Sequence, residues 1–463
     1  MPSLHSSILH RKAQSYPLQS ATLGGEKVKL FTFRGGVHPP ERKELSKDRE
    51  IIRAPLPGRV FVSMSNHAGA PAKPVVKVGQ EVKTGQVIGE PTAFISAYVH
   101  SPVTGKVVEI KKMLHPVVGK PIDTVVIERT SDDDWELLPH GDFERFSKEE
   151  LVDIVKKAGI VGLGGAMFPT HVKLSPPPEK KIDTLIINGA ECEPYLTIDH
   201  RLMLERAEDI AHGISIMKKI LDVKEAIVGI ENNKIDAIEN MKKVLKGVAE
   251  VYALKTKYPQ GSEKQLIYAM TGRKVPSGGL PMDVGVVVQN VGTAVAIKEA
   301  VVDGKPLVER GLTVTGEGVN EPKNLIVRIG STVSWILEFC GGVKEETNRI
   351  ILGGPMMGIA IRDVNTPIFK GTSGIVALLP EKPLVSKPCI RCSRCVEACP
   401  MNLQPYLLYL LALKKRYDDA VKEGLMDCIE CGSCAFICPS KIEHVRYIKL
   451  AKNVYRALRG GKK

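Results

Sequence analysis

Eight of the ten cysteines in the chain fall into two short runs with the same spacing. The first run, CIRCSRCVEACP, extends from Cys389 to Pro400, and the second, CIECGSCAFICP, from Cys428 to Pro439. Each run places cysteines at offsets of 0, 3, 6 and 10 residues and then ends on proline. Four thiolates that converge on one small volume are the ligands of a cubane iron–sulfur cluster. The two runs therefore predict two such clusters.

The two runs resemble those of two-cluster ferredoxins, in which the fourth cysteine of each run binds the cluster that the other run holds. Three cysteines spaced by three residues reach three corners of a cubane, whereas the fourth cysteine of the same run reaches it only with strain. Zinc, the alternative, would need four ligands per site without this shared, proline-terminated pattern. One cluster is therefore predicted to bind Cys389, Cys392, Cys395 and Cys438, and the other to bind Cys428, Cys431, Cys434 and Cys399.

The composition indicates a multidomain protein in a reducing compartment. The chain has 463 residues, enough for roughly three domains of about 150 residues. Clustered cysteines in a long chain without a secretion signal indicate metal ligands rather than disulfides. Apolar runs such as GIVALLP are far shorter than the ~20 residues that a membrane span needs. We therefore expect no transmembrane segment, and a chain that is soluble or joins a membrane only through partners.

The formal net charge of +13 leaves two interpretations open. One is a solvated surface rich in lysine and glutamate, and the other is a surface that faces an anionic partner such as a nucleotide, an acidic electron carrier or a lipid. Aromatic residues make up only 5% of the chain, and no dense basic block is interleaved with aromatics. Nucleic acid is therefore not an expected partner.

The middle of the chain alternates apolar strands with helices. The stretches DTLIINGA, EAIVGI and EVYALKT are predicted strands, and residues 201–221 and 233–246 are predicted helices between them. This order predicts a parallel sheet whose ligands lie at the carboxyl ends of its strands. Upstream, a helix that begins with a capping box of Ser147 and Glu150 leads into the loop GIVGLGGAMFPTHVKL. The glycines alone are compatible with a phosphate or flavin cradle or with an ordinary tight loop.

Four segments in the same order, within about residues 140–310, resemble the flavin-bearing subunit of respiratory complex I. GLGGAMFPTHVKL is similar to that family's GxGGAGFPTGxKW, NGAECEP to NxDESEPG, YPQGSEKQL to YxxGEETAL, and QNVGT to NNVET. That family binds FMN and oxidises NADH by hydride transfer to the flavin, so no catalytic side chain is expected. The resemblance implies flavin-binding positions at Gly162, Gly164, Gly165, Lys173, Asn188, Asn290 and Thr293. It implies nicotinamide-nucleotide contacts at Phe168, Glu193 and Glu263, with Gly261 as a further cofactor-binding position.

The flanking regions predict two smaller modules. Residues 51–110 contain two similar halves, around APLPGRV and HSPVTGKV, and resemble a lipoyl-type barrel-sandwich hybrid. The stretch PTAFISAYV, between the halves, has no lysine, so a structural or docking role is expected instead of a covalent cofactor. Residues 322–362 read as strand, helix and strand, and resemble the β-grasp (SLBB-type) module of the same complex I family. The proline-containing LPEKPLVSKP is the predicted linker to the cysteine runs.

The whole arrangement, preceded by FRGGVHPPERK, resembles the RnfC family of Rnf electron-transport complexes. We therefore expect a multidomain α/β and α+β fold. Its predicted parts are an N-terminal segment with the barrel-sandwich hybrid (1–125), a Rossmann-like parallel α/β flavin domain (126–315), a β-grasp module (316–378) and a helical two-cluster ferredoxin domain (379–463).

The RnfC resemblance implies a peripheral subunit on the cytoplasmic face of the cell inner membrane. Its implied role is to pass electrons between NADH, through FMN, and ferredoxin-type carriers by way of two [4Fe-4S] clusters. The implied partners are integral membrane subunits, which couple the electron flow to Na⁺ or H⁺ translocation, and ferredoxin-like subunits.

Two alternatives share the same modules. A soluble flavin and iron–sulfur reductase, such as a cobalamin reductase, places its barrel-like unit after the cysteine runs, whereas this chain places it before them. An electron-relay subunit with a degenerate flavin site is the other alternative. It is suggested by departures from the complex I pattern at Leu163, Met167, His171, Ala190, Cys192 and Ser262.

Overall fold

The structure is a computed structural model that describes residues 19–23, 26–381 and 385–460. Part of the predicted linker LPEKPLVSKP, residues 382–384, lies outside the described residues. Within these ranges no helix has the length and apolar character needed to cross a bilayer. The chain folds into mixed sheets and helices, as the predicted α/β and α+β class requires.

The elements are numbered here in chain order. The strands are β1 (Gln19–Leu23), β2 (Glu26–Leu30), β3 (Ile51–Arg53), β4 (Arg59–Ser63), β5 (Lys73–Pro74), β6 (Glu81–Val82), β7 (Val87–Glu90), β8 (Val99–His100), β9 (Gly105–His115), β10 (Lys120–Arg129), β11 (Thr184–Gly189), β12 (Glu225–Glu231), β13 (Glu250–Leu254), β14 (Val286–Asn290), β15 (Glu309–Thr315), β16 (Lys323–Arg328), β17 (Arg349–Leu352), β18 (Ile359–Ile361) and β19 (Gly374–Leu378). The helices are α1 (Lys148–Lys157), α2 (Thr170–Lys173), α3 (Ile198–Glu205), α4 (Ala207–Leu221), α5 (Ile235–Val244), α6 (Glu263–Thr271), α7 (Val291–Val302), α8 (Val333–Phe339), α9 (Arg394–Glu397), α10 (Pro405–Leu413), α11 (Tyr417–Lys422), α12 (Ser433–Phe436) and α13 (His444–Gly460).

The barrel-like module is built from two small antiparallel sheets. One has the strand order β4–β10–β9–β6 and the other β5–β7–β8. Alternating strand residues such as Val60 and Val62 point into an apolar core, which they share with Ile88, Val107 and Ile127. The all-β unit predicted between residues 51 and 110 is therefore present.

The flavin-type module contains a parallel sheet in the order β13–β12–β11–β14. The predicted capping box is also present, because Ser147 and Glu150 exchange hydrogen bonds at the start of α1. The single helix predicted over residues 201–221 is wrong, since α3 and α4 are separate. The backbone of Arg206 leaves the helical region between them, and its guanidinium binds the carboxylates of Asp209 and, at 2.8 Å, Glu299 on α7.

The β-grasp module carries a six-stranded sheet in the order β18–β17–β19–β15–β16–β3. Strand β16, helix α8 and strand β17 confirm the predicted strand, helix and strand. The edge strand β3 comes from the segment before the barrel and pairs in parallel with β16. The amide of Asn324 on β16 fixes this segment by donating to the carbonyl oxygens of Ser46 and Arg49, at 2.8 and 3.0 Å.

The cysteine-rich module, residues 385–460, repeats one backbone conformation in its two runs. Left-handed backbone angles occur at Arg391 and Ser393, and again at the equivalent Glu430 and Gly432. Each run then continues into a one-turn helix, α9 or α12. The module is therefore an internal duplication in structure as well as in sequence.

The helices between and after the cysteine runs supply the core of this module. Leu408 and Leu411 of α10 are buried with residues of α13, and Leu407 is half-buried. Leu413, which was also expected in the core, is 45% exposed at the end of α10. Helix α10 (PYLLYLLAL) is apolar on nearly every side, so its periodicity does not reveal which face packs.

Candidate electron-transfer site

Two asparagines mark the carboxyl edge of the parallel sheet. Asn188 on β11 and Asn290 on β14 are register partners on neighbouring strands. The side-chain oxygen of Asn290 caps α7 by accepting from the backbone N–H of Gly292 at 2.8 Å, and its amide donates to the carboxylate of Asp199 at 2.7 Å. The amide of Asn188 donates to the carbonyl oxygen of Gly261 at 2.8 Å. Three of the predicted site residues are therefore together at this edge.

The glycine-rich loop closes over the same edge. The backbone N–H of Leu163 donates to the hydroxyl of Thr293 on α7 at 3.0 Å. A side chain at Gly164 would contact the side chain of Asn290, at 3.5 Å, and Gly165 has a φ of +104°, which favours glycine. Within the described part of the chain, the backbone N–H groups of Gly164, Gly165 and Ala166 form no hydrogen bond. Successive free N–H groups in a turn are the feature from which anion-binding nests are built.

Lys173 and Glu263 lie beside this edge and bind each other. The ammonium group of Lys173, at the end of α2, donates to the carboxylate of Glu263 at 2.7 Å and to the carbonyl oxygen of Val288 at 3.2 Å. Glu263 is the first residue of α6. Both side chains keep partial solvent exposure. The pair therefore presents one cation and one carboxylate next to the glycine-rich loop.

Glu193 is held by the β-grasp module. Its carboxylate accepts the backbone N–H groups of Met356 and Met357, at 3.0 and 2.8 Å, in the loop between β17 and β18. The approach is close, since a Cβ atom at Gly354 would lie 2.3 Å from a carboxylate oxygen. Removal from water raises the pKa of Glu193 to about 7, although these two N–H groups and Lys43 act in the opposite direction.

Lys43 and Asp199 are site residues that sequence reasoning missed. The buried ammonium group of Lys43 donates to the carbonyl oxygens of Glu191 and Glu193, at 2.9 and 3.0 Å, and so fixes the loop after β11. Burial lowers the pKa of Lys43. Burial, followed by the charge of Glu191, raises the pKa of Asp199 to about 7. Lys43 ends the segment FRGGVHPPERK, but that segment does not show which of its charged residues is buried, and no local signal distinguishes Asp199.

The residues at this edge are chemically suited to a flavin mononucleotide. The N–H nest and the Lys173 ammonium group are donors of the kind that a phosphate accepts. The side-chain amides of Asn188 and Asn290 carry donors and acceptors of the kind that a flavin ring system binds, while the buried hydroxyl of Thr293 accepts the N–H of Leu163 and so fixes the loop. Phe168 lies half-buried in the same loop, and its carbonyl oxygen accepts the N–H of Gly162 at 2.9 Å.

The cysteines form the two groups that the sequence predicts. The first, here called the outer set, is Cys389, Cys392, Cys395 and Cys438, and these residues line a cavity of about 240 Å³. The second, here called the inner set, is Cys399, Cys428, Cys431 and Cys434, and it lines a narrower cavity of about 20 Å³. Each cavity therefore gathers three cysteines of one run and the fourth of the other.

The chemistry of both sets suits cubane clusters. Backbone N–H groups already point at cysteine sulfurs, since Arg391 donates to Cys389 and Glu430 to Cys428, both at 3.4 Å. Such bonds tune iron–sulfur clusters.

Family comparisons match the modules one by one. The Nuo51 FMN-binding domain matches residues 155–299, and the RnfC barrel sandwich hybrid domain matches residues 31–132. The SLBB domain matches residues 312–360, and the 4Fe-4S dicluster domain matches residues 388–442. The predicted domain types are therefore confirmed.

Curated relatives match nearly the full chain. The C subunit of the proton-translocating ferredoxin:NAD(+) oxidoreductase complex of Clostridium ljungdahlii is 50% identical over 92% of this chain and 95% of that protein. The C subunit of the Na(+)-translocating ferredoxin:NAD(+) oxidoreductase complex of Acetobacterium woodii is 45% identical over 92% and 97%. The C subunit of the ion-translocating oxidoreductase complex of Rhodobacter capsulatus is 43% identical over 89% and 79%. The chain therefore belongs to the RnfC family of the ion-translocating oxidoreductase complexes.

Proposed function

We propose that this chain passes electrons between NADH and ferredoxin-type carriers as one subunit of a membrane-bound, ion-translocating ferredoxin:NAD oxidoreductase complex. One observation carries the proposal: a flavin-type edge and two four-cysteine sets occur in one chain, and the loop 257–262 contacts both. Its Gly261 binds Asn188 at that edge, and its Tyr258 binds the backbone of Cys431 in the inner set. The names of the relatives describe subunits of such complexes.

The residues at the sheet edge bind and orient the reactants. Gly162, Gly164 and Gly165 with Lys173 hold the FMN phosphate, and Asn188, Asn290 and Thr293 hold the rest of the flavin. Bound FMN supplies the conversion between two-electron and one-electron transfer. Phe168, Glu193 and Glu263 would contact the nicotinamide nucleotide, with the two carboxylates accepting hydrogen bonds from ribose hydroxyl groups, and Gly261 is a further cofactor-binding position. No side chain is required as a general acid or base.

The two cysteine sets hold one [4Fe-4S] cluster each. In this proposal Cys399 and Cys438 cross between the runs, so that neither run binds a cluster alone. Desolvation raises the pKa of the Cys428 thiol to about 11, so the positive charge of bound iron is what keeps it as a thiolate.

The chain joins its complex as a peripheral subunit on the cytoplasmic face of the cell inner membrane. Its partners there are integral membrane subunits and ferredoxin-like subunits. The relatives, named as subunits of ion-translocating complexes, support this assignment.

A cofactor inventory of the anaerobically purified chain tests the function. We expect two cubane equivalents of iron and acid-labile sulfide and one flavin per chain, together with NADH-dependent reduction of an artificial acceptor dye whose potential lies above that of NADH. Iron and sulfide without flavin, and no dye reduction after FMN is added, would instead indicate an electron-relay subunit. A protein that stays soluble in cells containing the integral subunits would favour a cobalamin reductase-like enzyme.

A further inference from the structure

The inner cysteine set is in direct contact with the flavin-type module, through Tyr258 and Gln265, and with the N-terminal segment, through Gly35 and Gly36. The hydroxyl of Tyr258 donates to the carbonyl oxygen of Cys431 at 2.7 Å. The backbone N–H of Gly36 donates to the carbonyl oxygen of Ala398 at 2.9 Å. Gly35 approaches the carbonyl oxygen of Cys399 so closely that a Cβ atom would lie 2.9 Å from it. The amide of Gln265 on α6 donates to the carbonyl oxygen of Pro400 at 3.2 Å.

An apolar group fills the space between the inner set and the sheet edge. Val37, Tyr258, Ala398 and Cys431 form this buried group, and Cys192 packs against it. The sulfur of Cys192 accepts the N–H of Gly261, whose carbonyl oxygen is bound to Asn188. The candidate flavin site and the inner set are therefore separated by a thin layer of packed side chains.

The outer set faces solvent instead. Cys389 and Cys392 are exposed, in contrast to the cysteines of the inner set. Every described residue from 385 to 394 is exposed, and the cavity of the outer set is lined only by residues of the cysteine-rich module. This set is therefore the one that another protein can approach.

Unpaired cations surround the outer set. Lys387, Arg391, Arg394 and Lys441 are exposed and form no ion pair with any residue that the structure describes. Several other cations of the module are paired, as Arg459 is with Asp418 at 2.8 Å, whereas the exposed Lys414 and Lys415 at the end of α10 form no ion pair with a described residue. The face also carries exposed apolar side chains, since Val385 is 73% and Ile390 67% exposed. The exposed carboxylates nearby in sequence are Glu397 on α9 and Glu443, which is paired with Arg446 at 2.9 Å, and the unpaired cations outnumber them.

We propose that this outer face, defined by Lys387, Ile390, Arg391, Arg394 and Lys441 around Cys389 and Cys392, docks an acidic one-electron carrier protein. The proposal rests on the proposed function and adds the place where electrons leave or enter the chain. One electron crosses per encounter, the carrier is oxidised as the chain is reduced or the reverse, and no bond forms or breaks. Opposite charges steer such encounters and raise association rates by 10- to 10³-fold, roughly.

The second cysteine run shows which uncharged or acidic residues the backbone of the first run can carry in place of its cations. The second cysteine run has Glu430 where the first has Arg391, with φ values of 59° and 56°, and it has Ser433 where the first has Arg394. Arg391→Glu with Arg394→Ser therefore copies the second run into the first. An independent variant, Lys387→Glu with Lys441→Asn, changes two residues outside the lining of the cavity. Position 441 is equivalent to position 402 in the first run, which is already an asparagine with a similar left-handed backbone.

The matched control changes the same charge elsewhere on the module. Lys414→Ser with Lys415→Glu alters the net charge by as much as Arg391→Glu with Arg394→Ser, at the end of α10. Iron and sulfide analysis selects preparations with equal cluster content. The probe is an acidic bacterial two-cluster ferredoxin, reduced electrochemically and mixed anaerobically with the oxidised chain at increasing salt. The affinity of the oxidised ferredoxin for each chain is measured by calorimetry.

We expect the second-order rate of the wild-type chain to fall with salt. Both outer-face variants should react at least about tenfold more slowly at low salt and bind the ferredoxin more weakly, while the control stays within about twofold of wild type. Equal rates and affinities for all chains would overturn the proposal. The proposal would also be overturned if the outer-face variants lost binding to anionic phospholipid vesicles but kept the wild-type rate of electron transfer with ferredoxin. If the wild-type chain holds no flavin and NADH reduces none of its clusters, the proposed function fails rather than this surface.

Discussion

The hydroxyl of Tyr258 donates a hydrogen bond of 2.7 Å to the carbonyl oxygen of Cys431, and this bond joins the flavin-type module to the inner cysteine set. Tyr258 is 1% exposed, so no water replaces the bond if it is lost. The neighbouring Gly261 binds Asn188 at the sheet edge. One short loop therefore positions both the candidate flavin site and the nearer cysteine set.

Tyr258→Phe should loosen this junction without removing a cluster ligand. The carbonyl oxygen of Cys431 would remain buried without its donor, which costs about 1–3 kcal/mol of unfolding free energy. We expect a lower midpoint in urea and slower reduction of the clusters by NADH in stopped-flow absorbance, at unchanged iron content. Tyr268→Phe on α6 is the matched control, and equal effects of the two substitutions would contradict the role of the junction.

Cys399→Ala should damage the cluster of the inner set, although Cys399 belongs to the first run. The sulfur of Cys399 lines the cavity formed by Cys428, Cys431 and Cys434. EPR of the reduced protein should lose the signal of that cluster and keep the other. Cys192→Ala, which removes a thiol outside both cavities, should keep both signals. Loss of the outer-set signal in Cys399→Ala would refute the crossed ligation.

Glu263→Gln should weaken NADH binding more than it changes cluster or flavin content. The substitution removes a charged acceptor and breaks the ion pair with Lys173, which measures 2.7 Å. A lost hydrogen bond to a charged group is worth about 1.5–3 kcal/mol, so the KM for NADH should rise about tenfold or more. Glu239→Gln, on the exposed side of α5, is the control. An unchanged KM would remove Glu263 from the site.

The raised pKa of Glu193 predicts that NADH binding depends on pH near neutrality. Desolvation raises its pKa from 4.5 to about 7, so its carboxyl group is ionised above pH 7 and becomes protonated below it. A protonated carboxyl group is a poorer acceptor, so the KM for NADH should rise as the pH falls from 8 to 6. Asp199 and Glu231 also have pKa values of about 7, and the charge of Lys43 acts on Glu193. The pH dependence of the KM is therefore compared between the wild-type chain and Glu193→Gln. A variant with the wild-type pH profile would exclude Glu193 as the cause.

Local patterns predicted the elements that local forces determine. The capping box of Ser147 and Glu150 and the apolar strands of the parallel sheet are examples. The break at Arg206 was not predictable, because Glu299, one of the two carboxylates that its guanidinium binds, lies far along the chain. Strand β3 was not predictable either, because its three residues form a strand only by pairing with the distant β16.

The candidate site likewise contains residues that the local sequence revealed and residues whose partners are distant in sequence. The spacing of the cysteines and the resemblance of four segments identified the two cysteine sets and the glycine-rich edge. The partners of Glu193 were not predictable, because the N–H groups of Met356 and Met357 come from another module and carry no side-chain signal. Lys43 was missed for the same reason, since its acceptors are backbone carbonyl oxygens distant in sequence.

The central claim is that electrons from NADH enter at the sheet edge and reach the cysteine sets through it. Its most direct test is low-temperature EPR of the anaerobically purified chain, frozen after mixing with NADH, with and without bound FMN. The account predicts signals of reduced [4Fe-4S] clusters when FMN is bound and none when it has been removed. Clusters that stay oxidised in the FMN-loaded chain, or that NADH reduces equally well without FMN, would contradict it.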